Sequence, residues 1–384
     1  MGREIKYIAI CLAFLTLAPF SANTFAARGP KNLHAGAVYV LTNQTSNTVV
    51  AFRHNARGML TAAGEFPTGG AGNPIPQAPD PSSDPLASQG ALIMSNNNRF
   101  LFAVNAGSNQ ISVLKIKKDD LELVDVVSSG GVRPISLALH DDLLYVLNEG
   151  GTPNITGFDV SEDGILTQLA GSSRPLIDGG AADPAQIGFS QDGDLLVVTD
   201  KAGNRLNTYT IDEDGLPSPP IDNPSNGMTP FGFAFNNGGT LVVSEAFGGA
   251  ANQSAASSYN AAEDGTLSVV SGSVANSQTA SCWIVITKSG KFAFVSNTGS
   301  GTISSYRVNG EDGSLTLLNA TAADMGLGSA PIDMDLSVNG HLLFVLLGGT
   351  QSVASFRVWK NGNLTPIDTA SSGLPLGAQG IAAK

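Results

Sequence analysis

The residues of this chain with the types to do chemistry recur at two fixed positions of a repeated segment. One position, just ahead of a short apolar strand, holds Gln89, Arg133, Gln186, Phe231, Cys282, Asp333 and Gln379. The other, where the following strand ends, holds Asn105, Asn148, Glu149, Asp200, Glu245 and Asn297. If both positions converge on one opening, that opening is lined by carboxylates, amides and a single arginine, a set suited to holding a small polar molecule. Gln89, Asn105, Gln186, Asp200, Glu245, Asn297 and Asp333 form the candidate ligand-binding set. The competing reading is structural: Asn and Asp satisfy turn backbones, and Gln caps strand ends.

Other chemistries are poorly represented. No G-x-S-x-G run offers a nucleophile elbow. No H-E-x-x-H or H-x-H occurs, and the four histidines (34, 54, 140 and 341) are scattered, so no metal site is expected. His140 and His341 fall in turns at the strand ends away from the residues above. Acidic Asp-Gly turns at 162–164, 213–215, 263–265 and 311–313 lack the later oxygen ligands of a calcium loop, and tight hairpins account for them. Cys282 has no base beside it and reads as a buried, inert thiol. No cofactor is implied.

The elements that position these residues are strands. Residues 291–315, KFAFVSNTGSGTISSYRVNGEDGSL, show the unit: an apolar strand, a polar turn, an alternating strand, a Glu-Asp-Gly turn and the start of another strand. The apolar strand recurs seven times, ending at 43, 105, 148, 200, 245, 297 and 347. Alternating partners follow at 47–52, 109–114, 154–158, 205–209, 256–259, 301–306 and 351–356. One further short strand precedes each copy except the first, at 91–98, 135–142, 186–193, 231–238, 282–290 and 332–340. About four strands in a period of 40–50 residues predict a β-propeller blade. The chain is therefore expected to be an all-β, seven-bladed propeller. Residues 378–383 supply the strand that the first copy lacks and close the ring, since an open ring would leave sheet edges unpaired. A 62-residue gap between the first two copies holds an insertion, 69–90, with prolines at 74, 76, 79, 81 and 85, which reads as a loop on the face bearing the Asn turns.

At the N-terminus Arg3 and Lys6 precede an apolar run, residues 7–20, followed by small and polar residues. This pattern predicts a signal peptide, 1–26, and places the mature chain, a single domain of residues 27–384, in the periplasm or outside the cell. The run is too short to span a bilayer comfortably, and no membrane association is expected after cleavage. Cleavage would also remove Cys11 and leave Cys282 without a disulfide partner. The formal charge, −12, becomes −13 when Arg3, Glu4 and Lys6 are removed, which argues against nucleic acid or anionic lipid as a partner. A small molecule and a monomeric state are the expectations.

Taken together, the repeated Y/F-V-x-N turn, the N-x-I-x-x-F/Y strand and the D-G-x-L hairpin resemble the lactonase family of seven-bladed propellers. That family includes bacterial 6-phosphogluconolactonase and fungal carboxymuconate-cyclising enzymes and borders the YVTN-repeat surface proteins. The resemblance covers about residues 37–384 and implies a hydrolase of a small lactone or sugar-like ligand at the channel mouth. It implies a His, an Arg and a Glu there, from a G-P-R-H run and an N-E pair. Gly131-Val132-Arg133-Pro134 and Asn148-Glu149 match in part, so Arg133 and Glu149 are the candidate catalytic residues. Ile135 or Ser136 stands where the histidine would be, and the second copy reads Ser88-Gln89-Gly90. Without that base, Glu149 would activate water and Arg133 would stabilise the oxyanion. The alternative is a non-catalytic secreted or surface scaffold of the YVTN-repeat type.

Overall fold

A computed structural model describes residues 34–73, 84–118, 120–371 and 373–384. The expected signal peptide and the prolines at 74, 76, 79 and 81 lie outside the described residues. The first sheet comprises β1 (His34–Leu41), β2 (Thr48–Asn55) and β3 (Leu60–Pro67). The second comprises β4 (Leu92–Met94), β5 (Phe100–Asn105), β6 (Gln110–Ile116) and β7 (Leu121–Ser128), and the third β8 (Val132–His140), β9 (Leu143–Gly150), β10 (Asn154–Val160), β11 (Leu166–Gln168) and β12 (Arg174–Pro175). Next come β13 (Pro184–Phe189), β14 (Leu195–Asp200), β15 (Arg205–Thr210) and β16 (Ile221–Pro224), then β17 (Pro230–Phe235), β18 (Thr240–Glu245), β19 (Ala255–Ala261) and β20 (Leu267–Ala275). The last two sheets are β21 (Ser281–Ile286), β22 (Phe292–Asn297), β23 (Thr302–Val308) and β24 (Leu315–Asp324), followed by β25 (Pro331–Leu336), β26 (Leu342–Leu347), β27 (Ser352–Val358) and β28 (Leu364–Ala370). The final strand, β29 (Ile381–Ala383), returns to the first sheet and gives it the order β29-β1-β2-β3.

These are the seven antiparallel blades of a propeller. The innermost strands touch in a circle, β29 to β4, β8, β13, β17, β21, β25 and back to β29. The ring closes as the sequence implied, with Val38, Tyr39 and Val40 facing Ala383, Ala382 and Ile381. The core lies between blades. The second strands β5, β14, β18, β22 and β26 are buried at every residue, because both of their faces meet a neighbouring blade. Outer strands such as β7 bury only their first residue fully, which is Leu121.

The outer hairpins show how the repeat is encoded. Gly313 has φ +77, and a Cβ there would lie 2.5 Å from Thr240 Oγ1 of the preceding blade. Glycine therefore serves both the turn and the blade-to-blade contact. The leucine two residues later, Leu315, opens β24 and is buried. Leu60, Leu166 and Leu364 open their outer strands in the same way. The fourth blade departs from this: Asp214-Gly215-Leu216 is followed by an isolated bridge between Ile211 and Pro217, and the outer strand starts only at Ile221.

Candidate functional site

Innermost strands begin at one face of the ring, and Arg133 shows how. Its φ is +56, a conformation shared by Thr229, Ala280 and Ala330, each also next to the start of an innermost strand. The Arg133 N–H donates to Asn109 Oδ1 at 2.8 Å, as the Thr229 N–H donates to Asn204 Oδ1 at 2.7 Å. The left-handed backbone at Arg133 is thus a property of the repeat, supported by an asparagine of the previous blade.

Above this backbone the side chains of Arg133 and Glu149 form an ion pair, and the second guanidinium nitrogen donates to the Pro85 carbonyl at 2.7 Å. Lys201 donates to the carbonyls of Ala87 at 2.8 Å and Pro184 at 2.9 Å, and sits 3.1 Å from an Asp183 oxygen. Burial pushes the Glu149 carboxyl above its usual range; Arg133 and Lys201 pull it back, and Asp183 adds to the rise. The Glu149 oxygen not paired with Arg133 accepts no hydrogen bond from the described residues. The arrangement offers one desolvated carboxylate that can take a proton, beside a guanidinium that can stabilise developing negative charge.

The mouth itself is not an open funnel. Residues 84–89, in the C-terminal part of the insertion, run across it and are fastened on several sides. The Leu86 N–H donates to Gln379 Oε1 at 2.9 Å, and the Gln379 amide donates to Asp84 and, at 3.2 Å, to the Ser88 carbonyl. Trp283 Nε1 also donates to the Ser88 carbonyl, at 2.9 Å. Gln89 exchanges two hydrogen bonds, 2.9 and 3.0 Å, with the backbone of Ile284 in the sixth blade. Leu86 is fully buried. A segment without a strand partner must find acceptors and donors for its backbone, and here the innermost strands supply them. Burial raises the Asp84 carboxyl to about 7, against the pull of Lys201.

Most of the expected ligand set lies elsewhere. Asn105, Asp200, Glu245 and Asn297 are all fully buried. Asn105 accepts from Thr68 Oγ1 at 2.7 Å and donates to Ser112 Oγ at 2.6 Å. Asn297 repeats the pattern, accepting from Ser281 Oγ at 2.6 Å and donating to Ser304 Oγ at 2.9 Å. Asp200 accepts the N–H of Asp183 at 2.9 Å. Glu245 accepts the Gly227 N–H at 2.9 Å and the hydroxyls of Ser257 and Ser273. These four residues close the loops between blades and do not face the channel, since they end second strands, one strand away from it. Gln186 also works locally, exchanging bonds of 3.1 and 2.7 Å with the Phe233 backbone. Gln89, Gln186 and Asp333 do share a cavity of about 350 Å³, but it opens at the other face. Cys282 is buried, and burial pushes its thiol up.

Lys201, Asp183 and Asp84 were not anticipated. The sequence held one signal: Lys201 follows the turn residue Asp200 as Glu149 follows Asn148. It is this next position that reaches the mouth.

Glu245 gives a first test. Its folded carboxyl is raised above 4.5 by burial, with its three donors pulling it back. A raised folded value means the native state binds the extra proton, so this contribution to stability is present below 4.5 and is lost as pH rises through the folded value. Glu245→Gln is expected to flatten that part of the stability–pH curve, read from urea midpoints at pH 4.5 and pH 8. An unchanged difference between those midpoints would refute the assignment.

Comparison with known proteins agrees with this architecture. A family model described as "Lactonase, 7-bladed beta-propeller" matches residues 24–176 and 251–375. The stretch between the two matches contains Lys201 and Glu245. An uncharacterised protein of Staphylococcus aureus strain N315 is 31% identical over 93 residues, 23% of this chain and 27% of its own length, so the match spans about a quarter of that relative. The crystal structure of a candidate 6-phosphogluconolactonase from Bacteroides uniformis superposes with a TM-score of 0.66 at 20% identity, covering 90% of this chain and 98% of the other. The periplasmic gluconolactonase of Pseudomonas aeruginosa gives 0.66 at 14% identity, with the same coverages. At these identities the two structures speak to the fold.

Proposed function

This chain belongs to the lactonase family of seven-bladed β-propellers, and we propose that it is an exported hydrolase of a small neutral lactone, acting at Arg133 and Glu149. The observation that carries the reading is the desolvated Glu149 carboxylate paired with Arg133 at the channel mouth. Glu149 takes a proton from water as the water oxygen bonds to the lactone carbonyl carbon. The oxyanion forms under the positive charge of Arg133; it then collapses, the ring C–O bond breaks, and the leaving alkoxide recovers the proton from Glu149. The product is the open-chain hydroxy acid. A neutral substrate is favoured because Glu149 and Asp183 already balance Arg133 and Lys201, leaving little positive charge for a phosphate. Export rests on the apolar run at residues 7–20.

A second reading, a non-catalytic binding scaffold, is favoured by one observation. Arg133 and Lys201 both spend donors on the carbonyls of residues 84–89, as in a structural plug. A panel of sugar and aliphatic lactones assayed with the purified chain separates the two. Turnover is expected, with Glu149→Gln lowering kcat/KM about 10²-fold. The base must be ionised, so the rate is expected to fall on the acid side with an inflection above 4.5. No turnover on any lactone of the panel would favour the scaffold.

A further inference from the structure

The cavity shared by Gln89, Gln186 and Asp333 lies among the innermost strands, beneath the segment that crosses the mouth, and opens at the face opposite Arg133. Its rim is formed by turns that follow innermost strands, with Asn96, Lys288 and Val338 among them. Asp333 sits in a β-bulge of β25: Ile332 faces Leu346 and Met334 faces Val345, so Asp333 is the extra residue with no partner across the sheet. Bulges turn side chains out of the regular alternation. β8, β13, β17 and β21 bulge at the corresponding place, over Ile135, Ala185, Phe231-Gly232 and Cys282-Trp283. The fold fills that position with apolar or small residues in four blades and with a carboxylate in the seventh.

That carboxylate is 3% exposed, and its Oδ2 has no hydrogen-bond partner. Oδ1 accepts the Met334 N–H at 3.0 Å. A buried oxygen left in this state is costly, and few such groups persist in folded proteins without a reason. Besides Met334, the Gly90 N–H pulls on this carboxyl, but it makes no hydrogen bond of normal geometry to Oδ2. The amides of Gln89 and Gln186 are committed to Ile284 and Phe233. Asp335, the second carboxylate of the cavity, accepts from the N–H groups of Leu336 at 2.7 Å and Ala383 at 2.8 Å. Lys288 is exposed at the rim.

We propose that this cavity binds a small organic cation bearing a primary ammonium group, whose N–H donors meet Asp333 Oδ2 and Asp335. Its apolar part lies against Leu92, Ile93 and Val285. A volume of about 350 Å³ suits a molecule of a few carbons. A divalent metal is a poorer match, because calcium needs six or more oxygens. Among the described residues no group of three His, Cys, Asp or Glu side chains comes together. Burial pushes the Asp333 carboxyl well above its usual range, with Asp335 and Asp84 adding to the rise and the Met334 and Gly90 N–H groups pulling back, so a bound cation favours its ionised form. Lys288 pulls the other way on Asp335, which stands at about 6. A proton therefore leaves as the ammonium enters, and affinity rises with pH. The site is independent of the lactonase reading.

Isothermal titration of the full chain with n-butylammonium, at pH 6 and pH 8 and in buffers of different ionisation enthalpy, tests this. Saturable binding is expected, at least fivefold tighter at pH 8, with proton release, and n-butanol is expected not to bind. Asp333→Asn is expected to weaken binding at least tenfold while leaving the circular dichroism spectrum of the propeller unchanged. No binding at either pH, equal binding by a folded Asp333→Asn, or saturation by calcium chloride alone would overturn the proposal. Should Asp333→Asn fail to fold, absence of proton release from the unmodified chain overturns it as well.

Discussion

Deleting residues 379–384 is expected to abolish cooperative unfolding of the propeller or to lower its stability by about 5 kcal/mol or more, a large part of the 5–15 kcal/mol that holds a typical domain. The deleted residues include β29, the innermost strand of the first blade. Ile381, Ala382 and Ala383 are at most 4% exposed, and burying an isoleucine side chain alone contributes about 2 kcal/mol. Backbone bonds flank the pairing, from the Gln379 N–H to Leu41 at 2.8 Å and from the Lys384 N–H to Ala37 at 2.7 Å. Each contributes about 1 kcal/mol. Gln379 also holds residues 84–88, and the Ala383 N–H satisfies Asp335. Without the strand, β1 shows an unpaired edge to the channel, so aggregation should accompany the loss. Urea denaturation followed by circular dichroism checks the first effect and light scattering the second. A truncated chain with an unaltered midpoint would mean the ring needs no closing strand.

The ring was legible because its signal is local and repeated. Residues 292–297 and 302–308 carry their strand pattern within 17 residues, and seven copies in register leave few alternatives. The closing strand was legible for a topological reason, since the first copy lacked a partner that residues 378–383 could supply. The site was less legible because its partners are distant in sequence. Gln89 meets Ile284, and Asp84 meets Gln379, through contacts that no periodicity records. Glu245 and Asn297 were misassigned for a related reason. Polar residues ending a strand look solvated when one face of a sheet is wet, but a second strand of a blade is covered on both faces. Their polarity serves loops and hydroxyls between blades. Asp333 sat in the expected set, but only the bulge in β25 shows that its side chain belongs to the far cavity.

Trp283 is where the closed mouth can be loosened, and its substitution is expected to have the second large effect. The ring is 1% exposed, lies 4.8 Å from Phe231 and donates to the Ser88 carbonyl. Trp283→Ala removes both packing and hydrogen bond at an innermost strand, at a cost of about 3–5 kcal/mol. Trp283→Phe keeps much of the packing and loses the bond, at a cost of about 1 kcal/mol, moderated because Gln379 still reaches the same carbonyl at 3.2 Å. The difference between the variants measures packing, and the Phe variant alone reports on the fastening of residues 84–89. Hydrogen exchange in that segment should quicken in Trp283→Phe while the outer strands stay protected. Lactone turnover in the same variant then bears on how the mouth is used. If the segment is a lid over Glu149, loosening it should raise turnover on bulkier lactones. If it positions Arg133 through the Pro85 carbonyl, turnover should fall with Arg133's loss of register. Unchanged exchange at residues 84–89 would show that the plug is held by Gln89 and Gln379 without help from the sixth blade's tryptophan.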